Sequence, residues 1–198
     1  MNVNDLQTPA LLLDADALEH NATLMASRLP GARLRPHVKA HKSTALAIYQ
    51  REHGGHGNFT AATIREVEGL CARGLGVDVL LANEVLDATR LGTLVAAGHR
   101  VTLAVDSPET LKAAITGGVR EVVIDINVGL PRCGATVDEA QALADQARRA
   151  GCHVRGVMGY EGHLMMIMDP AEQEAKVAKA MAILLAAHDR VGAPELTS

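Results

Sequence analysis

RVTLAVDSPETLKAAITGGVREVVIDIN, residues 100–127, reads as two apolar strands joined by one helix. The runs 100–106 and 121–127 are nearly continuous in apolar character. Strands covered on both faces look like this, whereas strands with one wet face alternate. Between them, Asp106 and Ser107 offer capping side chains, and Pro108 suits a first helical turn, where a missing N–H costs nothing. Gly117 falls where the helix should stop.

The same unit recurs in both directions. Further β-rich apolar runs occupy 10–16 (ALLLDAD), 33–39 (RLRPHVK), 57–63 (GNFTAAT), 77–83 (VDVLLAN) and 153–160 (HVRGVMGY). Helical stripes lie between them: Val85, Ala88, Leu91 and Leu94/Val95 form one, and Ala140, Leu143, Ala144 and Ala147 another. Asp169-Pro170 opens a last helix, and Gly54, Gly98 and Gly151 mark further stops. Seven strand–helix units in strict alternation predict an α/β fold with a parallel sheet. Seven is many for an open doubly wound sheet and one short of a (β/α)8 barrel. GAPELTS, at 192–198, lies where an eighth strand would begin, so the expectation is one TIM-barrel-like domain over 1–198, cut before closure.

Composition removes several classes of function. The net charge of −4 gives nucleic-acid binding no electrostatic support. No apolar run reaches membrane-spanning length, and no basic segment with an apolar core opens the chain. Cys71, Cys133 and Cys152 are odd in number and scattered, which reads as reduced thiols in a cytoplasmic protein. With no Trp, one Phe and two Tyr, the core must be aliphatic, and Tyr160 stands out near any ligand.

In a barrel of this kind, active groups gather at the C-terminal ends of strands. Those ends carry Lys39 and His41, residues 60–63, Asn83, Asp106, residues 127–132 and residues 160–163. A lysine at the end of a buried run is unusual. A largely apolar surround would lower its pKa and leave a nucleophilic amine, as Schiff-base chemistry needs. Read from position alone, Lys39 serves equally well as a structural or phosphate-binding lysine.

Five segments taken together resolve that choice. TPALLLDADALEHN (8–21), RPHVKAHKS (35–43), VLLANEV (79–85), DINVGLPRCG (125–134) and GVMGYEGH (156–163) follow one another in order and spacing. Over residues 8 to 198 the chain resembles the D-threonine aldolase/D-serine dehydratase group of the alanine racemase-type (fold type III) pyridoxal-phosphate enzymes. The resemblance implies that Lys39 holds pyridoxal 5'-phosphate covalently as a Schiff base and is the catalytic residue. It places Arg132 near the cofactor's phenolic oxygen and Tyr160 in the cofactor site. Without it, Arg132 would be a surface residue capping a helix expected over 135–150, and Tyr160 a rim tyrosine. His37 and His41 flank the lysine and, with Asn83, Glu161 and His163, are candidates to line the site or orient substrate; local hydrogen bonding is the alternative for each. His53, beside two glycines, has no ligand spacing for a metal, and Glu66 and Glu68 look exposed.

The implied activity is retro-aldol cleavage of a D-β-hydroxy amino acid such as D-threonine to glycine and an aldehyde. D-serine dehydration, amino-acid racemisation and non-catalytic carriage of the cofactor are the alternatives. The family continues past this point into a glycine-rich phosphate loop and a C-terminal β-domain with a divalent metal (Zn, Mn or Mg). Neither is in these 198 residues, so no metal ligand is expected here, and if the 198 residues are the whole polypeptide, cofactor binding should be weak. Intact relatives imply a homodimer acting on a small amino acid.

Overall fold

Each apolar run from residue 57 onward becomes a strand, and residues 195–197 add one more. The computed structural model describes residues 2–197. Strands β1 (Phe59–Ala61), β2 (Val79–Leu81), β3 (Val101–Val105), β4 (Glu121–Ile126), β5 (His153–Gly159) and β6 (Glu195–Thr197) form one sheet. They lie in sequence order and every pairing is parallel. Parallel neighbours need crossovers, and the helices supply them. These are α3 (Ile64–Ala72), α4 (Thr89–Ala96), α5 (Pro108–Gly117), α6 (Val137–Arg149) and α7 (Pro170–Val191), while α1 (Ala15–Arg28) and α2 (Thr44–Gly54) precede β1. Among the described residues no helix is long and apolar enough to cross a membrane.

The helix signals act as read. Ser107 caps α5 in a reciprocal capping box with Thr110, and Pro108 sits in its first turn. Asp169 caps α7 by accepting from Ala171 and Glu172 N–H. Both stripes face inward: Ala140, Leu143, Ala144 and Ala147 of α6 are buried, as are Leu91 of α4 and Ala88, which precedes it.

Strand side chains divide between two apolar layers. Val79, Leu81, Val101, Leu103, Val122 and Ile124 pack outward into the main core with the helices. Leu80, Ala104, Val123 and Met158 meet in a second, inner cluster. The sheet curls, since Arg155 of β5 reaches Asp78 just ahead of β2, and this cluster lies on the concave face of the barrel wall. Fully burying a leucine such as Leu81 or Leu103 contributes about 2 kcal/mol.

A charged network ties the base of the curl. Arg155 of β5, 3% exposed, points inward and donates to Asp78 Oδ1 at 2.6 Å, Thr102 Oγ1 at 2.7 Å and Glu195 Oε1 at 2.9 Å. Arg35 donates to Asp78 Oδ2 at 3.0 Å from the segment ahead of β1. Asp78 therefore links the first part of the wall to its last strands. Burial alone would raise the Asp78 carboxyl, but hydrogen bonds from Arg155 and Arg35 outweigh it and hold it down at about 2.

Two of the seven expected strands do not form. Residues 10–14 are extended but join no ladder among the described residues, with Leu11 fully exposed. Asp14 then accepts from Ala17 N–H and starts α1, so the apolar run is cut short by a cap. The run 33–39 makes a single bridge, His37 to Thr60, supported by Thr60 N–H donating to the Pro36 carbonyl at 2.9 Å. Pro36 has no N–H to give, and the chain tightens into a 3-10 turn at Val38–Ala40. This segment still occupies the wall position beside β1.

Replacing Arg155 with Leu should destabilise the fold by about 3–5 kcal/mol, since Asp78 would remain buried with one partner fewer. Urea unfolding measures this. The depressed Asp78 carboxyl adds stability present above its ordinary value of 3.8 and lost as pH falls through about 2. Asp78→Asn should remove that part of the acid dependence.

Candidate active site

The 3-10 turn that ends the 33–39 segment presents Lys39. His37 Nδ1 accepts from the Lys39 backbone N–H at 3.2 Å, a local cap that competes with strand continuation. Val38 is buried beneath, so the next side chain faces out at the strand ends. His41 Nδ1 accepts from Ser43 N–H at 3.0 Å, and Ser43 caps α2. His41 Nε2 is buried without a hydrogen-bond partner.

Lys39 and Arg132 meet on one aromatic ring. Lys39 Nζ lies 4.8 Å from the Tyr160 ring centroid, and Arg132 Cζ lies 5.6 Å from it. Each contact at such an exposed ring is worth about 0.5–1 kcal/mol, and the two like charges share this one ring. All three residues are exposed, so the amine is not in the apolar surround expected for it. Tyr160 follows β5 directly, and Gly162 makes room for its ring, since a Cβ there would clash with the ring atoms.

The loop after β4 carries Arg132. It is closed by Asn127 N–H to the Ala135 carbonyl at 3.0 Å and Ala135 N–H to the Asp125 carbonyl at 2.8 Å. Gly134 N–H donates to Asp106 Oδ2 at 3.1 Å, and Asn127 Oδ1 accepts from Gly129 N–H at 2.9 Å. Behind Arg132, its Nε–H donates to Cys133 Sγ at 3.4 Å, and the thiol donates to Asp125 Oδ2 at 3.5 Å. Burial, reinforced by Glu84, pushes the Asp125 carboxyl up to about 7. Burial also pushes the Cys133 thiol up to about 11, so it is a neutral donor rather than a reactive thiolate.

The other candidates divide. His163 is exposed and lies against this loop, since a Cβ on Gly129 would meet its Nε2 at 3.1 Å. The backbone carbonyl of Glu161 accepts from Leu164 N–H at 2.8 Å, which starts the turn below Tyr160. Asn83 is a latch between loops, donating to the Ala62 carbonyl at 3.2 Å. His37 supports the turn from inside. Glu66 is not the exposed residue expected: its side chain is buried, accepts from Ala62 N–H at 2.8 Å and pairs with Lys42. His53 stacks on Tyr49 at 3.9 Å.

Asp125, Glu84 and Gly162 escaped the sequence reading. The signal for Asp125 was available, because it is the lone charge inside the apolar run VVIDI. The need for glycine at 162 depends on where the Tyr160 ring folds, which no local pattern records.

Residues 13–196 match the family model for the alanine racemase N-terminal domain. A 3-hydroxy-D-aspartate aldolase of Paracoccus denitrificans (strain Pd 1222) is 33% identical over 208 aligned residues, covering 99% of this chain and 54% of that protein. A D-threo-3-hydroxyaspartate dehydratase of Delftia sp. (strain HT23) is 31% identical, with 86% of this chain and 47% of that one covered. The crystal structure of D-threonine aldolase from Filomicrobium marinum superposes with a TM-score of 0.88 at 30% identity, over 96% of this chain and 54% of that one. The chain spans about half the length of the curated relatives it matches.

Two outcomes follow for the mouth. Gly162→Ala should displace the Tyr160 ring and cost about 1–3 kcal/mol, read from near-ultraviolet dichroism of tyrosine and from thermal unfolding. Burial, with the nearby Lys39 charge, lowers His37 from 6.5 to about 4. The folded state thus refuses a proton that the unfolded state accepts. Stability present above about pH 6.5 should be lost as pH falls through about 4. In His37→Asn, which keeps a capping oxygen, that slope should flatten in urea titrations at stepped pH.

Proposed function

The chain belongs to the alanine racemase N-terminal domain family, and on that premise we propose that it is the pyridoxal 5'-phosphate-holding barrel of a lyase for D-β-hydroxy amino acids. The observation that carries this reading is the pair of cations, Lys39 and Arg132, set on the Tyr160 ring at the C-terminal ends of the strands. The donor set fits the cofactor: one primary amine for its aldehyde, one permanent cation for its phenolic oxygen, and one aromatic ring between them. When bound, the cofactor supplies an electron-poor ring that stabilises negative charge at the substrate Cα.

The chain's own residues then take separate tasks. Lys39 Nζ would hold the cofactor's aldehyde and, as a primary amine when free, could carry a proton at the mouth. Arg132, charged at every accessible pH, holds the phenolic oxygen as an anion. Tyr160 fixes the spacing of the two cations. Cleavage breaks Cα–Cβ: the bond electrons stay with Cα, which takes up a proton, and the β-hydroxyl loses its proton to become the aldehyde. His163 Nε2, exposed over Gly129, is the imidazole this chain offers at the rim for that proton.

Aldol cleavage is the first reading. Elimination of the β-hydroxyl is the second, favoured by the similarity to a dehydratase at nearly the same identity as to an aldolase. D-threo-3-hydroxyaspartate with added pyridoxal 5'-phosphate separates them. Glycine with glyoxylate marks cleavage, and oxaloacetate with ammonia marks elimination. Either product should fall at least about a hundredfold in Lys39→Ala. A racemised substrate alone, or product formation that survives in Lys39→Ala, would overturn the proposal.

A further inference from the structure

One cluster at the mouth takes no part in the reading above. Glu84 follows β2, Asp125 lies on β4 and Cys133 lies in the loop after it; their side-chain ligand atoms come within 4.8 Å of one another. Asp125 is 5% exposed, and its register neighbour on β5 is Met158, which belongs to the apolar inner layer. Among the described residues no ion pair reaches its carboxylate. The Cys133 thiol donates to it, and the Glu84 carboxyl lies within 4.8 Å. Asp106, from the loop after β3, adds a third carboxylate nearby, with Oδ2 already accepting from Gly134 N–H. A second carboxyl this near, where water is scarce, disfavours the ionised form of Asp125.

The cation facing this cluster is Arg132. Its guanidinium reaches Asp125 through Cys133, by Nε–H to Sγ and then S–H to Oδ2. The other side of the same guanidinium lies over Tyr160. We propose that Asp125 keeps a proton beside Glu84 and, through Cys133, acts as a positioning residue for Arg132. With the proton in place the guanidinium stays over Tyr160. When it leaves, the doubly charged pair draws the guanidinium back onto the two carboxylates. An added charge a few ångströms away outweighs a cation–π contact at an exposed ring. The consequence for catalysis rests on Arg132 being a cofactor contact; the movement itself does not.

The chain contains no Trp and two Tyr, one of which, Tyr49, stacks on His53 in α2. Tyr49→Phe therefore leaves Tyr160 as the sole strong fluorophore, and its emission can be titrated in protein without cofactor. The expected result is one transition with a midpoint near 7, the level to which burial and Glu84 push Asp125. Glu84→Gln should lower that midpoint by at least about one unit, because the like charge is gone. Asp125→Asn and Arg132→Ala should each abolish the transition. A flat wild-type profile overturns the proposal. So does an unmoved midpoint in Glu84→Gln, or a transition that survives Asp125→Asn or Arg132→Ala and so belongs to a histidine such as His163. Failure of the protein to retain pyridoxal 5'-phosphate leaves these titrations untouched, so the two readings fail separately.

Discussion

Burial of both faces of a parallel sheet is the constraint on which the rest of this structure depends. Helices cover the outer face, and the curl closes the inner face around Leu80, Ala104, Val123 and Met158. A polar side chain that points inward must then find a partner or sit at an end. Arg155 and Asp125 occupy the two ends. At the base, Arg155 is fully engaged by Asp78, Thr102 and Glu195, which makes a structural tie. At the mouth, Asp125 has only another acid and a thiol, while Lys39 and Arg132 crowd one ring. The cations and the carboxyl group that lack such a tie meet at the mouth.

Much of this was legible in the sequence, for the same physical reason. A strand buried on both faces must be apolar throughout, so the runs from 57 onward announced themselves, as did the caps at Ser107 and Asp169. The runs 10–16 and 33–39 carry the same composition without becoming strands. Whether a strand forms depends on a neighbour to pair with, and on donors that Pro36 does not have. Local pattern records neither. The same limit hid Gly162, whose role is set by a ring two residues away folding back over it.

The site residues differ in how they were found. Lys39 was conspicuous as a charge ending an apolar run, but Arg132 and Tyr160 took their roles from the resemblance, and the structure places both beside it. Asn83 and His37 each make a local hydrogen bond at the mouth, the first to the Ala62 carbonyl and the second from Lys39 N–H. Asp125 was passed over within its run. A single inward charge in a doubly buried strand is as informative as a lysine at its end, and Arg155 repeats the lesson at the base.

Reduction with borohydride after adding pyridoxal 5'-phosphate, followed by peptide mapping, tests the central claim most directly. The chain has five lysines, at 39, 42, 112, 176 and 179. The account predicts that the stable adduct forms on Lys39 and disappears in Lys39→Ala. An adduct on Lys42 or on one of the helical lysines, with Lys39 unmodified, would contradict it.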